Sequence, residues 1–231
     1  MNYNNWNKNT YDKFIDYLHE LKDEKYKELQ KKIIKNDKII IIGIRIPILK
    51  KIAKEISKEN YKDFIKYNKH KYLEENILHG LILGYIKEDE ELLKQVDKFI
   101  PYIDNWETCD TACANLKQFK KIDIHNIDRY INHNPWSQRF GLVLLLDHYI
   151  KEENLKTIFE ICKKIKTDEY YVKMAISWLL SICYIKYPSK TLNFLRRANL
   201  DKFTHNKTIS KICDSRRIDK NIKEKLKLLR K

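Results

Sequence analysis

The stretch LEENILHGLILGYI, residues 73–86, decides how the chain is read, because blocks of its kind return at a near-constant interval. WETCDTACANLKQF begins at Trp106, WSQRFGLVLLLDHYI at Trp136, YYVKMAISWLLSICYI at Tyr170 and FTHNKTISKICDSRRI at Phe203, so successive starts lie 33, 30, 34 and 33 residues apart. Between them run Lys-rich amphipathic segments such as LLKQVDKFIPYI and NLKTIFEICKKI. One period is therefore an outer amphipathic helix, a short turn and a more apolar inner helix. That is the pattern of a stacked helical repeat, in which neighbours bury a continuous core. Nearer the N-terminus the spacing stays helical: Phe14, Tyr17, Leu18 and Leu21 share one stripe, and Ile48, Ile52 and Ile56 recur every fourth residue.

One segment departs from this pattern. KIIIIGIRIP, residues 38–47, is β-branched but short, and Pro47 followed by LKKIAKEI places a proline in the first turn of a helix. It reads as a buried connector, not a strand. No Gly/Ser linker interrupts the repeats, so the expectation is an all-α chain, an α-solenoid forming a single domain over residues 1–231.

Composition narrows the function classes. Lys and Arg total 47 against 32 Asp and Glu, a formal charge of +15 and a pI near 9.4, which favours a polyanionic partner such as nucleic acid. An abundance of Lys, Ile and Asn with only 4 Gly and 4 Pro is also what AT-rich codons produce. Charge alone therefore leaves a DNA-binding protein and a protein-interaction scaffold both open. The N-terminal MNYNNWNKNTYDKF lacks the features of a secretory signal, and no apolar run approaches the ~18 residues of a membrane span. A soluble, cytoplasmic monomer without membrane contact is expected. Five scattered cysteines suit reduced thiols better than a disulfide framework. Cys109 and Cys113 share a helix face, yet no partner stands at zinc spacing, so neither metal nor cofactor is expected. A phosphate-cradling Gly loop and a nucleophile elbow are both absent from the sequence, which argues against nucleotide hydrolysis and serine-esterase chemistry.

Aligning the inner helices puts Asp110, Arg139, Lys173 and Lys207 at one early position of successive repeats, 29, 34 and 34 residues apart. Equivalent positions line up along one surface of a solenoid, here expected to be a concave basic groove suited to a phosphate backbone. Taken singly, each reads as a solvated first-turn charge. Trp106 could serve as a helix-start residue beside Asn105, and Trp178, inside an apolar helix, reads alone as core.

Four blocks, IIGIRIPILKKIAKEI, NWETCDTACANL, NPWSQRFGLVLLLDHY and EYYVKMAISWLLSICYIKYP, together resemble the AlkD family of DNA alkylation repair glycosylases. Their order and spacing carry the likeness. The resemblance implies a fold of HEAT-like repeats and a double-stranded DNA substrate carrying alkylated bases. It also implies an active site with a Trp and an Asp one turn apart, an Arg in the next repeat and a second Trp after that, matched here by Trp106, Asp110, Arg139 and Trp178. By this likeness Asp110 would stabilise the positive charge that develops on the deoxyribose as a cationic N3- or N7-alkylated purine departs. Trp106 and Trp178 would offer indole faces to that charge. Arg139 would grip a phosphate, with Lys173 and Lys207 as weaker contacts. Arg45, where the family carries a neutral side chain, joins the expected DNA-binding set. A non-catalytic DNA-binding solenoid of the same fold remains the alternative.

Overall fold

The structure, a computed structural model, describes residues 4–231, whose regular elements are all helices, with one isolated bridge between Ile40 and Tyr72. Contacts divide the chain into two compact units, one ending at Gln118 and the other running Phe119–Lys231.

The first unit contains α1 (Lys8–Glu20), α2 (Glu24–Ile34), α3 (Ile46–Lys58), α4 (Tyr61–Tyr67), α5 (Leu73–Leu83), α6 (Asp89–Phe99) and α7 (Trp106–Asn115). Every residue of α5 is buried, because α3 and α7 pack against it. Gly80 makes the second contact possible: a Cβ there would lie 2.6 Å from Cβ of Ala112 on α7. Helix propensity is lowered by a mid-helix glycine, so packing rather than propensity explains its place.

The β-branched run is a buried connector only in its middle: Lys38 and Ile40 are exposed, and Ile46 and Pro47 already belong to α3. Residues 41–44 are buried, Arg45 caps α3 and Pro47 lies in the first turn of that helix. A buried extended segment without a sheet has amide groups to satisfy, each costing about 1–3 kcal/mol if left unpaired. Glu74 satisfies them. Its carboxylate, fully buried on α5, accepts the N–H groups of Ile42 at 3.0 Å, Gly43 at 2.7 Å and Ile44 at 3.2 Å. Gly43 sits at φ +100, where a Cβ would fall 2.6 Å from Cβ of Lys27 and 2.9 Å from the Asp23 carbonyl oxygen. Its own carbonyl accepts the Asp23 N–H at 2.8 Å, so the connector also anchors the start of α2.

Glu75 performs the matching task for α1. It accepts the N–H groups of Lys71 at 2.8 Å and Tyr72 at 2.7 Å, together with the Tyr11 hydroxyl. Burial, reinforced by the Glu75 charge, raises the Tyr11 phenol far above its ordinary range and keeps it a donor.

The second unit contains α8 (Asp128–Ile131), α9 (Pro135–Leu144), α10 (Leu155–Lys164), α11 (Tyr170–Lys186), α12 (Pro188–Arg197), α13 (Lys202–Asp214) and α14 (Lys220–Lys227). Helices α9 and α13 both pack on α11, whose Val172, Ala175, Ile176, Leu179, Leu180 and Cys183 are buried. The five apolar blocks of the sequence are thus α5, α7, α9, α11 and α13. Two of them begin one residue earlier than the block does. Pro135 supplies the first residue of α9, and Asp201 caps α13 by accepting the Thr204 N–H at 3.1 Å. The basic C-terminal stretch SRRIDKNIKEKLKLLRK, residues 215–231, contains the amphipathic helix α14, with Leu226 buried.

Two substitutions test the connector in chemical denaturation. Gly43→Ala should lose roughly 1–3 kcal/mol, since a Cβ is strained at positive φ. Glu74→Ala should lose about 3 kcal/mol or more, because three buried amides are orphaned together.

Candidate functional site

Asn105 starts α7 by accepting the Thr108 N–H at 2.9 Å, and this cap sets the helix register. Trp106 and Asp110 then lie one turn apart on one face, each half-buried. Glu107, Thr108, Cys109, Ala112 and Cys113 are buried, so the core takes the rest of the helix. The Trp106 ring packs against the core of the first unit and its Nε1–H donates to the Ile33 carbonyl at 3.4 Å. Anchored at both its face and its nitrogen, this indole is positioned by α2.

Beneath that pair lies a group the sequence did not signal. Glu107 is only 6% exposed, and its two carboxylate oxygens accept the Tyr26 hydroxyl at 3.2 Å and Gln30 Nε2 at 3.0 Å. Burial raises the Glu107 carboxyl despite these bonds, and the charge of Glu74 adds to the shift. Tyr26 is in turn pushed up to about 12 by burial and by Glu107. The one available signal was an acid at the second position of the block, one residue after Trp106.

Arg45 stands beside this group. Its guanidinium lies 5.1 Å over the Tyr26 ring and pairs with Asp23 at 3.0 Å through Nε and 2.8 Å through Nη2. Asp23, which also caps α2, is held below the usual carboxylate range by the Tyr26 N–H and then by Arg45. Arg45 keeps more than half its side chain in solvent and can still meet a phosphate.

In the second unit Arg139 is the fifth residue of α9, as Asp110 is of α7. It is 6% exposed, donates through Nη1 to the Tyr171 carbonyl at 2.8 Å and lies 5.8 Å over the Tyr171 ring. The Trp136 ring approaches Tyr171 at 5.1 Å, and Tyr170 meets Tyr171 at 5.3 Å and Phe203 at 5.9 Å. Tyr170 and Phe203 are exposed, so an aromatic cluster accompanies the arginine. Its signal was present in the sequence: the blocks begin with Trp136, Tyr170 and Phe203. Lys173, near the start of α11, pairs with Asp168 at 3.0 Å and Asp201 at 3.6 Å, and the bond it donates to Asp168 leads the causes that raise its amine. Lys207 is half-buried on α13. Trp178 is half-buried on α11, with the Lys211 amine 5.9 Å over its ring. Its indole is therefore neither wholly core nor wholly solvated.

No group of three or more metal-ligating side chains forms among the described residues, and no helix there is long and apolar enough to cross a membrane. The model of a family described as DNA alkylation repair enzyme matches residues 14–213. No curated protein matches the chain.

The raised Glu107 carboxyl has a consequence for stability. A carboxyl whose folded pKa exceeds its ordinary 4.5 contributes stability that is complete below 4.5 and is lost as pH rises through the folded value. Glu107→Gln should therefore flatten the fall in melting temperature on the alkaline side of that window and leave the protein at least as stable at neutral pH. Gln30 Oε1, which has no hydrogen-bond partner among the described residues, is available to accept from the new amide.

Proposed function

The chain belongs to the DNA alkylation repair enzyme family, and from that premise we propose that it is a DNA glycosylase removing cationic N3- or N7-alkylated purines from duplex DNA. The observation that carries this reading is the Trp106–Asp110 pair, held half-open to solvent on a helix whose intervening residues are buried.

Alkylation makes the base a good leaving group. The bond between C1′ and the base nitrogen breaks, its electron pair neutralises the departing base, and positive charge develops on the deoxyribose. Asp110 would stabilise that charge and orient the water that adds to C1′, whose proton passes to solvent. Trp106 would set its indole face toward the same charge, an arrangement worth about 0.5–2 kcal/mol. For the second unit we propose that Trp178 plays the corresponding aromatic role and that Arg139, Lys173 and Lys207 bear on phosphates, with Arg45 doing so in the first. This reading treats residues 1–231 as one continuous repeat domain acting without metal or cofactor.

A second reading, a non-catalytic protein-interaction member of the same fold, draws on one observation. Arg45 and Lys173 are already matched with carboxylates, which weakens their pull on a phosphate backbone.

Release of methylated purines from alkylated duplex DNA separates the two. Wild type should release base, and Asp110→Asn should slow release by about 100–1,000-fold while duplex binding persists. Absence of both base release and duplex binding near physiological salt in wild type would favour the second reading. Arg139→Ala should weaken duplex binding and reduce its salt dependence by about one counterion.

A further inference from the structure

Between α4 and α6 of the first unit lies a cavity of about 690 Å³ that the proposed function does not use. Its volume falls within the ~300–1,000 Å³ range of small-molecule sites. Lys62 and Lys66 line it from α4, and Lys94 and Lys98 from α6. Each pair is spaced i, i+4, so both lysines of a pair lie on one face of their helix, where like charges repel and an anion would be favoured. One carboxylate, Glu91, shares the lining and pairs with Lys62 at 3.2 Å. Four amines therefore meet a single acid.

The floor supplies an independent observation. His79 of α5 lines the cavity at 1% exposure, and neither ring nitrogen has a hydrogen-bond partner among the described residues. Phe99 meets its ring edge-on at 4.9 Å and His70 lies 5.2 Å away. Buried polar groups are as a rule satisfied, so a buried imidazole in a cavity wall with neither nitrogen hydrogen-bonded is suited to a partner from outside the chain. His70 donates through Nδ1 to Asn76 Oδ1 at 2.7 Å and stacks on Tyr102 at 3.4 Å, which leaves a flat aromatic wall, with Tyr102 40% exposed.

We propose that this cavity binds a phosphate-bearing small molecule, with the lysine pairs holding the phosphate, His79 hydrogen-bonding to the ligand and the His70–Tyr102 stack flanking its organic part. The proposal is independent of the glycosylase reading. Burial holds His79 down to about 3 and depresses His70 as well, so both imidazoles are neutral at physiological pH. A bound dianion favours the charged form and moves both titrations upward.

Calorimetry and histidine-ring NMR on the full chain test this with two probes, inorganic phosphate and a nucleoside 5′-monophosphate. Saturable binding of either, with the His79 titration shifted upward, supports the site. Comparison of the two probes shows whether the organic part contributes. Lys66→Ala combined with Lys98→Ala, both at exposed positions, should leave the melting temperature unchanged and weaken binding by about tenfold or more. Absence of saturable binding at millimolar concentration, or equal affinity in wild type and the double variant, overturns the proposal. So does a loss of duplex DNA affinity in that variant without small-molecule binding by wild type, which would make these lysines nucleic-acid contacts instead.

Discussion

The first unit depends on one carboxylate placed beyond the reach of water. Glu74 receives three consecutive amides of the connector at residues 42–44, and those bonds allow an extended segment to cross the core without a sheet partner. The connector in turn seats Gly43 against α2, places Arg45 at the head of α3 and joins α5 through the Leu73 N–H, which donates to the Ile40 carbonyl at 2.9 Å. An ionised acceptor suits this task because it offers several lone pairs and forms stronger bonds than a neutral group. The same α5 carries Glu75, which fixes Tyr11 and so α1. Adjacent acids at the head of an apolar helix thus organise the chain on either side of it.

The candidate site inherits its precision from this arrangement. Helix α7 approaches α5 closely because Gly80 faces Ala112, and its head is held on α2 through Glu107 and the Trp106 indole nitrogen. Asp110 therefore projects from a backbone whose other faces are engaged. Preorganisation of this kind is what an electrostatic catalyst requires, since a carboxylate that must reorganise during bond breaking recovers little of its stabilising effect.

The sites differ in how legible they were. Trp106 and Asp110 were legible as a pair because an i, i+4 offset is visible in one dimension, and the resemblance to the family made that pair a candidate site. The charge row of Arg139, Lys173 and Lys207 was visible too, but its environment was not. Arg139 proves 6% exposed and bonded to a carbonyl, and Lys173 is claimed by Asp168 and Asp201. Spacing locates a residue on a helix, whereas its partners arrive from segments distant in sequence. Glu107 escaped notice for the same reason, since Tyr26 and Gln30 lie 81 and 77 residues away.

By itself the sequence determined that the chain is all-α, where its apolar helices begin to within one residue, that a β-branched run leads into a helix and not a sheet, and to which family the chain is similar. These follow from periodicity, capping residues and proline placement, which act within a few residues of chain. Only the tertiary structure decided which charges are spent on internal bonds and which face solvent. It alone brought Glu74 to the connector and Lys62, Lys66, Lys94 and Lys98 to one cavity over His79. The physical reason is that desolvation and pairing depend on what packs against a group, and packing joins residues that no local pattern relates.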